Sequence, residues 1–221
     1  MNLIKNIKAR KGRMDLKINQ KSLSFEAYNK IKLMILNDVL KSGEKIYQEK
    51  MAEKLGISKI PLLQAMSILQ KERLLKYDPG KGFSVRKIST PEFHDLLDLR
   101  GALEGLAAKK ISLNINEDIK KQLLSFLSDF EKYYKENNIF KYSELDKKFH
   151  FYIFETSKNS YLPHINDSFN ILILVYTKGF KTDLVESMKD HRNIINAIIE
   201  GKGKKATVLI EQHCEKVKKY F

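Results

Sequence analysis

The feature that most restricts the fold of this 221-residue chain is a change of pattern at Ser89-Thr90-Pro91. Beyond Pro91, whose fixed φ suits the first turn of a helix, the sequence reads as helix after helix, over about 91–113, 116–138, 140–157, 160–179, 182–200 and 204–220. Apolar residues recur at the three- and four-residue steps of a buried helix face. Leu96, Leu99, Leu103 and Ala107 form one stripe, and Ile119, Leu123, Leu127, Phe130 and Tyr134 a second. Six such helices predict an all-α bundle.

Before the boundary the elements are short. Ser24 is placed to cap a helix with the stripe Tyr28, Ile31, Ile35 and Val39, ending near Gly43. A helix over about Gln48 to Leu55 is broken by Gly56, and Ser58 precedes a third helix with Pro61 in its first turn. Ala52 leaves room for two helices to cross closely, and Gly56 tolerates the positive φ of a sharp turn. Met51, Leu55, Ile57, Leu62 and Ala65 wedge the pair together. Leu75, Tyr77, Phe83 and Val85 flank the turn-forming run Asp78-Pro79-Gly80-Lys81-Gly82, a two-stranded hairpin. The predicted fold is therefore mainly α. A basic N-terminal arm over 1–22 precedes a winged helix-turn-helix with a small β-hairpin over 23–89, and a C-terminal all-α helical bundle occupies 90–221.

Charge separates the same two units. Residues 1–89 carry 20 Lys/Arg against 8 Asp/Glu, a net +12, whereas residues 90–221 carry 21 against 19. A basic surface of this kind attracts nucleic acid or anionic membrane, because each neutralised phosphate releases a condensed counterion. The longest apolar run, Ile171 to Tyr176, has six residues, against the ~20 of a membrane span. The first residues lack the continuous apolar stretch of a secretory leader, and the single cysteine, Cys214, cannot close an internal disulfide. These features predict a cytoplasmic protein without a membrane partner.

In the second unit four ionisable residues have a spacing that brings them together. Asp146 and His150 are four apart and share one helix face. His191 and His213 each lie eleven positions from Lys202, in the turn Gly201-Lys202-Gly203, so an antiparallel helix pair sets them at one level. If the helix of Asp146 packs alongside, three imidazoles and a carboxylate converge. Such a set suits a divalent metal, Zn²⁺ first, with Ni²⁺, Mn²⁺ or Fe²⁺ as alternatives, and leaves positions open for a carboxylate or water. His94 and His164 match no such position and are expected at the surface.

The segment KSGEKIYQEKMAEKLGISKIPLLQAMSILQKERLLKYDPGKGFSVRKI resembles the winged helix-turn-helix of the GntR regulators. RGALEGLAA, LDKKFHFYIFETSKN and HRNIINAIIEG are similar to their FCD (FadR C-terminal domain) effector domain. The resemblance implies a homodimeric transcription regulator that binds double-stranded DNA and a small-molecule effector, commonly a carboxylate beside a metal. It implies the same metal pattern, with intervals of 3, 40 and 21 residues between Asp146, His150, His191 and His213. Where the family reads Ser-Arg-Thr-Pro-Val-Arg-Glu-Ala-Leu, this chain has Ser58-Lys59-Ile60-Pro61-Leu62-Leu63-Gln64-Ala65-Met66, so both arginines are absent. With Leu62, Leu69 and either Ala65 or Met66 inward, the outward face is Ile60, Leu63, Gln64 and Ser67, beside Ser58 and Lys59. Gln64 on adenine edges and Ile60 and Leu63 on thymine methyls predict an A·T-rich operator; alternatively Ile60 and Leu63 pack against another part of the protein. Lys81 and Gly82 match the family's wing turn. Arg100, in a segment like the family's RxxLE, either meets the effector or pairs with Glu104, and Asn170, Tyr176 and Lys178 stand nearest to where relatives offer arginines to the ligand.

No Ser/His/Asp arrangement, phosphate-cradling glycine loop or nucleotide fingerprint is present, and an enzyme is not predicted. A metal-dependent hydrolase would need a base near the cluster and has no use for a helix-turn-helix. The remaining alternative keeps the fold but turns the altered recognition helix toward a protein partner.

Overall fold

The computed structural model describes residues 23–162, 165 and 183–220. The expected basic arm and nearly all of the expected 160–179 helix, with Asn170, Tyr176, Lys178 and His164, lie outside them.

Helix α1 (Leu23–Leu36) buries Ala27, Ile31 and Ile35. It begins before Ser24 and ends well short of Gly43, because the chain turns through a positive φ of 56° at Asp38. Val39 is consequently 56% exposed, and Leu40 enters the core in its place. Tyr28 sits at the edge of the stripe, where its hydroxyl donates to Glu72 at 2.7 Å.

Helices α2 (Gln48–Leu55) and α3 (Lys59–Lys71) form the expected tight pair. Gly56 takes φ 66° and ψ 33°, and a Cβ there would meet nothing within 4 Å, so glycine is needed for its backbone conformation and not for space. The Ile57 amide closes the turn on the Ala52 carbonyl at 3.1 Å. Strands β2 (Leu75–Asp78) and β3 (Gly82–Val85) form the hairpin. It gains a third strand, β1 (Lys45–Ile46), in the antiparallel order β1-β3-β2. Lys45, Ser84 and Lys76 lie in register across its outer face, while Ile46, Phe83, Leu75 and Val85 face the core.

Helix α4 (Thr90–Leu113) starts with a reciprocal cap: Ser89 accepts from the Glu92 amide, and Glu92 accepts from the Ser89 amide. It is followed by α5 (Glu117–Lys135), α6 (Ile139–Thr156), α7 (Leu184–Ile199) and α8 (Gly203–Val217), with a 3₁₀ turn over Lys218–Tyr220. Two hydrophobic cores result. Ile31, Leu62, Leu69, Leu75 and Phe83 centre the first, and Leu123, Phe130, Phe149, Ile153, Ile194 and Ile210 the second. Helix α4 serves both, giving Phe93 and Leu97 to the first and Ala107, Ala108 and Ile111 to the second.

The α4 stripe differs from its sequence reading. Leu99 is 49% exposed, and the buried face runs through Leu97, Gly101, Glu104, Gly105 and Ala108. Helix α8 packs so closely that a Cβ on Gly101 would lie 3.3 Å from the Glu211 Cα, and one on Gly105 2.9 Å from the Thr207 methyl. Small residues, not leucines, mark this contact. On α5, Phe126 is buried and Tyr134 is 37% exposed.

Candidate functional site

The metal-ligand candidates come from three helices. Asp146 and His150 lie one turn apart on α6, His191 lies on α7, and His213 lies on α8. The α7–α8 turn at Gly201 (φ 72°) sets the His191 and His213 ring centroids 5.0 Å apart. One donor atom from each of the four residues falls within 4.8 Å of the others. Donors bound at about 2.0–2.2 Å to a common ion lie about 3.3–3.6 Å apart in a tetrahedron and up to about 4.4 Å apart across an octahedron, so closure of roughly an ångström brings this set to binding distance.

Each imidazole is fixed through its Nδ1. That of His150 meets Glu104 Oε2 at 2.7 Å, that of His191 the Tyr142 hydroxyl at 3.0 Å, and that of His213 Asp190 Oδ2 at 3.3 Å. The supports are themselves held: Glu104 accepts from Arg100 Nε at 2.7 Å, Tyr142 donates to Ser187 at 3.2 Å, and Asp190 accepts from Lys216 at 2.7 Å. A hydrogen bond at Nδ1 leaves Nε2 as the lone-pair donor, which is how protein metal sites select the tautomer of their histidines. The buried Nε2 atoms of His150 and His191 have no hydrogen-bond partner among the described residues; Asp146 Oδ1 lies 3.5 and 3.0 Å from them, outside hydrogen-bonding alignment. Buried nitrogens left in this way are costly unless a further group satisfies them, and the donor set fits a divalent cation.

The electrostatics keep this cluster charged asymmetrically. Burial would raise the Glu104 carboxyl, but Arg100 and then His150 override it and hold it at about 2. Burial acts likewise on Asp146, and the neighbouring His150 and His191 hold it well below the usual carboxylate range. Burial pushes His191 down to about 4, leaving it neutral. Cys214, 2% exposed, is pushed up to about 12 by burial and by Glu104, and is a packed thiol, not a thiolate.

Arg100 is committed to Glu104, its side chain only 11% exposed. The expected pairing of Arg100 with Glu104 is present, but the reach of Glu104 to His150, and the parts played by Tyr142, Asp190 and Ser187, are not read from the sequence. Two of them carry a signal there: Asp190 adjoins His191, and Tyr142 precedes Asp146 by one turn. His94, expected at the surface, is half-buried and its Nε2 has no hydrogen-bond partner among the described residues.

On the DNA-reading candidate, Ser58, Lys59, Ile60, Gln64 and Ser67 are exposed along α3, with Ile60 71% exposed. Leu63 is half-buried and packs against the first core. Lys59 lies 3.8 Å from Glu49 of α2. In the wing, Lys81 is exposed and its amide closes the turn on Asp78 at 3.0 Å, with Gly82 at φ 81°. Among the described residues no helix is long and apolar enough to cross a membrane.

Comparison with known proteins agrees with both halves. The model of the bacterial regulatory proteins of the gntR family matches residues 23–85, and that of the FCD domain matches residues 95–216. The chain is 29% identical over 180 residues to the uncharacterized HTH-type transcriptional regulator YdhC of Bacillus subtilis, covering 77% of this chain and 78% of that one. It is 26% identical over 232 aligned positions to the Uxu operon regulator of Haemophilus influenzae, covering 92% and 85%. Its fold is shared with E. coli McbR/YncC (TM-score 0.69, 18% identity, 90% of this chain and 98% of that one). A GntR transcriptional regulator of Rhodococcus sp. RHA1 is also similar (TM-score 0.71, 14% identity, 89% and 95%). A helix-turn-helix with its wing, joined to a helical domain of matching family, makes this chain a DNA-binding transcriptional regulator that belongs to the GntR family with an FCD domain.

Proposed function

We propose that the chain is a cytoplasmic, homodimeric regulator whose affinity for its operator depends on a divalent metal, Zn²⁺ in the first instance, held by Asp146, His150, His191 and His213, and on a small carboxylate-bearing effector completing the metal's coordination. The observation that carries this reading is the set of three Nδ1 anchors, on Glu104, Tyr142 and Asp190, which aim three imidazoles at one point. In such a site the metal supplies a Lewis-acidic position for an oxygen ligand, and the chain's part is to fix the tautomers and exclude water. Residues 23–89 form the DNA-binding module and 90–221 the sensor. In the module, Ser58, Lys59, Ile60, Gln64 and Ser67 face the major groove, with Lys81 and Gly82 at the backbone, while Leu63 turns toward the first core and offers the groove at most its edge. Asn170, Tyr176 and Lys178 remain the proposed effector contacts, while Arg100 takes the second of its two expected roles and orients Glu104 behind His150.

The test measures metal content of the purified protein, then operator binding of the wild type and of His150→Ala with Zn²⁺ and with chelator. Binding that responds to metal in the wild type and not in the variant supports the proposal. Absence of stoichiometric metal uptake overturns the metal reading, and selection of G·C-centred sites from random duplexes overturns the A·T-rich one.

A further inference from the structure

The outward face of α3 carries two cations and no arginine, Lys59 in its first turn and Lys71 in its last, and Glu49 lies 3.8 Å from Lys59. At the N-terminal end of the recognition helix the cation is thus already partnered, and the electrostatic attraction that DNA binding requires is supplied there from beside α3. The ion pair also locates where, because it sets the first turns of α2 and α3 side by side. Tyr47, the residue before α2, is 58% exposed and makes no side-chain cap bond to that helix. The Lys45 ammonium lies 5.4 Å and the Lys50 ammonium 5.5 Å from the centre of its ring. Lys45 comes from the outer face of the sheet, in register with Ser84, and Lys50 from the first turn of α2. Among the described residues, neither ammonium has a carboxylate within ion-pair distance and the Tyr47 hydroxyl has no hydrogen-bond partner. Glu49, the acid of the same turn, is the group drawn across to Lys59.

Two like charges gathered on one exposed ring repel each other, and each cation–π contact offsets only ~0.5–1 kcal/mol. An anion between them removes the repulsion. We propose that Lys45, Tyr47 and Lys50 form a clasp for the phosphodiester backbone of duplex DNA at the N-terminal end of the recognition helix. The two ammoniums neutralise phosphates and the phenol donates to a phosphate oxygen, while the ring holds both lysine stems in place. The clasp is blind to sequence, as phosphate contacts are, and supplies binding strength that the arginine-free α3 lacks. It rests on DNA binding by this module.

The test is fluorescence anisotropy on the full chain with a 30-base-pair random-sequence duplex and with a selected operator, across a salt titration. Replacing both lysines (Lys45→Ala with Lys50→Ala) lowers the slope of log affinity against log salt by about 0.9 per lysine, and weakens binding at 0.1 M salt by roughly eightfold per lysine. Both duplexes lose the same factor. Tyr47→Phe weakens both by about threefold, one neutral hydrogen bond, without changing the slope. Lys135→Ala, on α5, serves as the control and leaves both duplexes unaffected. An unchanged salt slope in the double variant overturns the clasp while leaving the regulator reading intact, as does a loss confined to the operator. A wild-type protein without salt-dependent duplex binding overturns both. Circular dichroism melts of all variants, superimposable with the wild type, show that the losses are not losses of fold.

Discussion

Replacing Glu104 by Gln separates the stability of the C-terminal helical domain from the metal binding proposed for it. Glu104 is fully buried and accepts from Arg100 and His150, both at 2.7 Å. Glutamine keeps the shape and one acceptor oxygen but removes the charge opposite a guanidinium that is only 11% exposed. Removing one partner of a buried pair costs about 3–5 kcal/mol, a large share of the ~5–15 kcal/mol that stabilises a folded chain. In a protein of this size each kcal/mol moves Tm by about 2–4 °C, so the metal-free variant melts roughly 6–20 °C lower. A different loss, about 10–100-fold in metal affinity, follows from freeing the Nδ1 of His150. Zinc competition against a chromophoric chelator reads that loss independently of melting. The double variant Arg100→Met with Glu104→Gln no longer strands a charge and regains most of the melting temperature, but not the affinity. A Glu104→Gln variant that melts within about 1 °C of wild type, against the several degrees set by those magnitudes, refutes the ion-pair argument. Affinity restored in the double variant refutes the positioning role.

Three further outcomes follow from packing and capping. Gly105→Ala places a methyl 2.9 Å from the Thr207 side chain and destabilises by about 1–3 kcal/mol in urea titration, with reduced metal affinity because α8 carries His213. Gly56→Ala costs about 1–2 kcal/mol for its left-handed backbone, and Gly56→Asn less; equal losses would indicate that space, not φ, is the constraint. Glu92 has its carboxyl lowered by its bonds to Ser89 and by Arg86, so its contribution is present above the ordinary glutamate range and disappears as pH falls through the lowered value. Since the group is 43% exposed, Glu92→Gln should lose only about 0.5–1 kcal/mol at pH 7, and the difference from wild type should vanish in acid denaturation below that range.

The Asp/His cluster was legible because helical spacing and a glycine turn are local rules: one helical turn joins Asp146 to His150, and eleven residues on either side of Lys202 join His191 to His213. The shells behind it were not, because Glu104 reaches His150 across 46 positions and Tyr142 reaches His191 across 49, and no local period records such a meeting. The α4 stripe misled for a related reason. Hydrophobicity selects Leu99, whereas the face that α8 covers is chosen by closeness of approach, which only Gly101, Gly105 and Ala108 permit. Strand β1 escaped because two residues, Lys45 and Ile46, are too few to display alternation.

Helix α4 gives Phe93 and Leu97 to one core and Ala107 and Ile111 to the other, with Glu104 between them. At 1.5 Å per residue its 24 residues form a shaft of about 36 Å. Val217, one turn beyond His213 on α8, bears on the first core as well. The C-terminal helical domain and the winged module thus share two helices, and the short linker over 86–89 is not their sole tie. Because α4 and α8 are each seated in both cores, neither helix can rotate beside the histidine cluster without repacking at Phe93, Leu97 or Val217 as well.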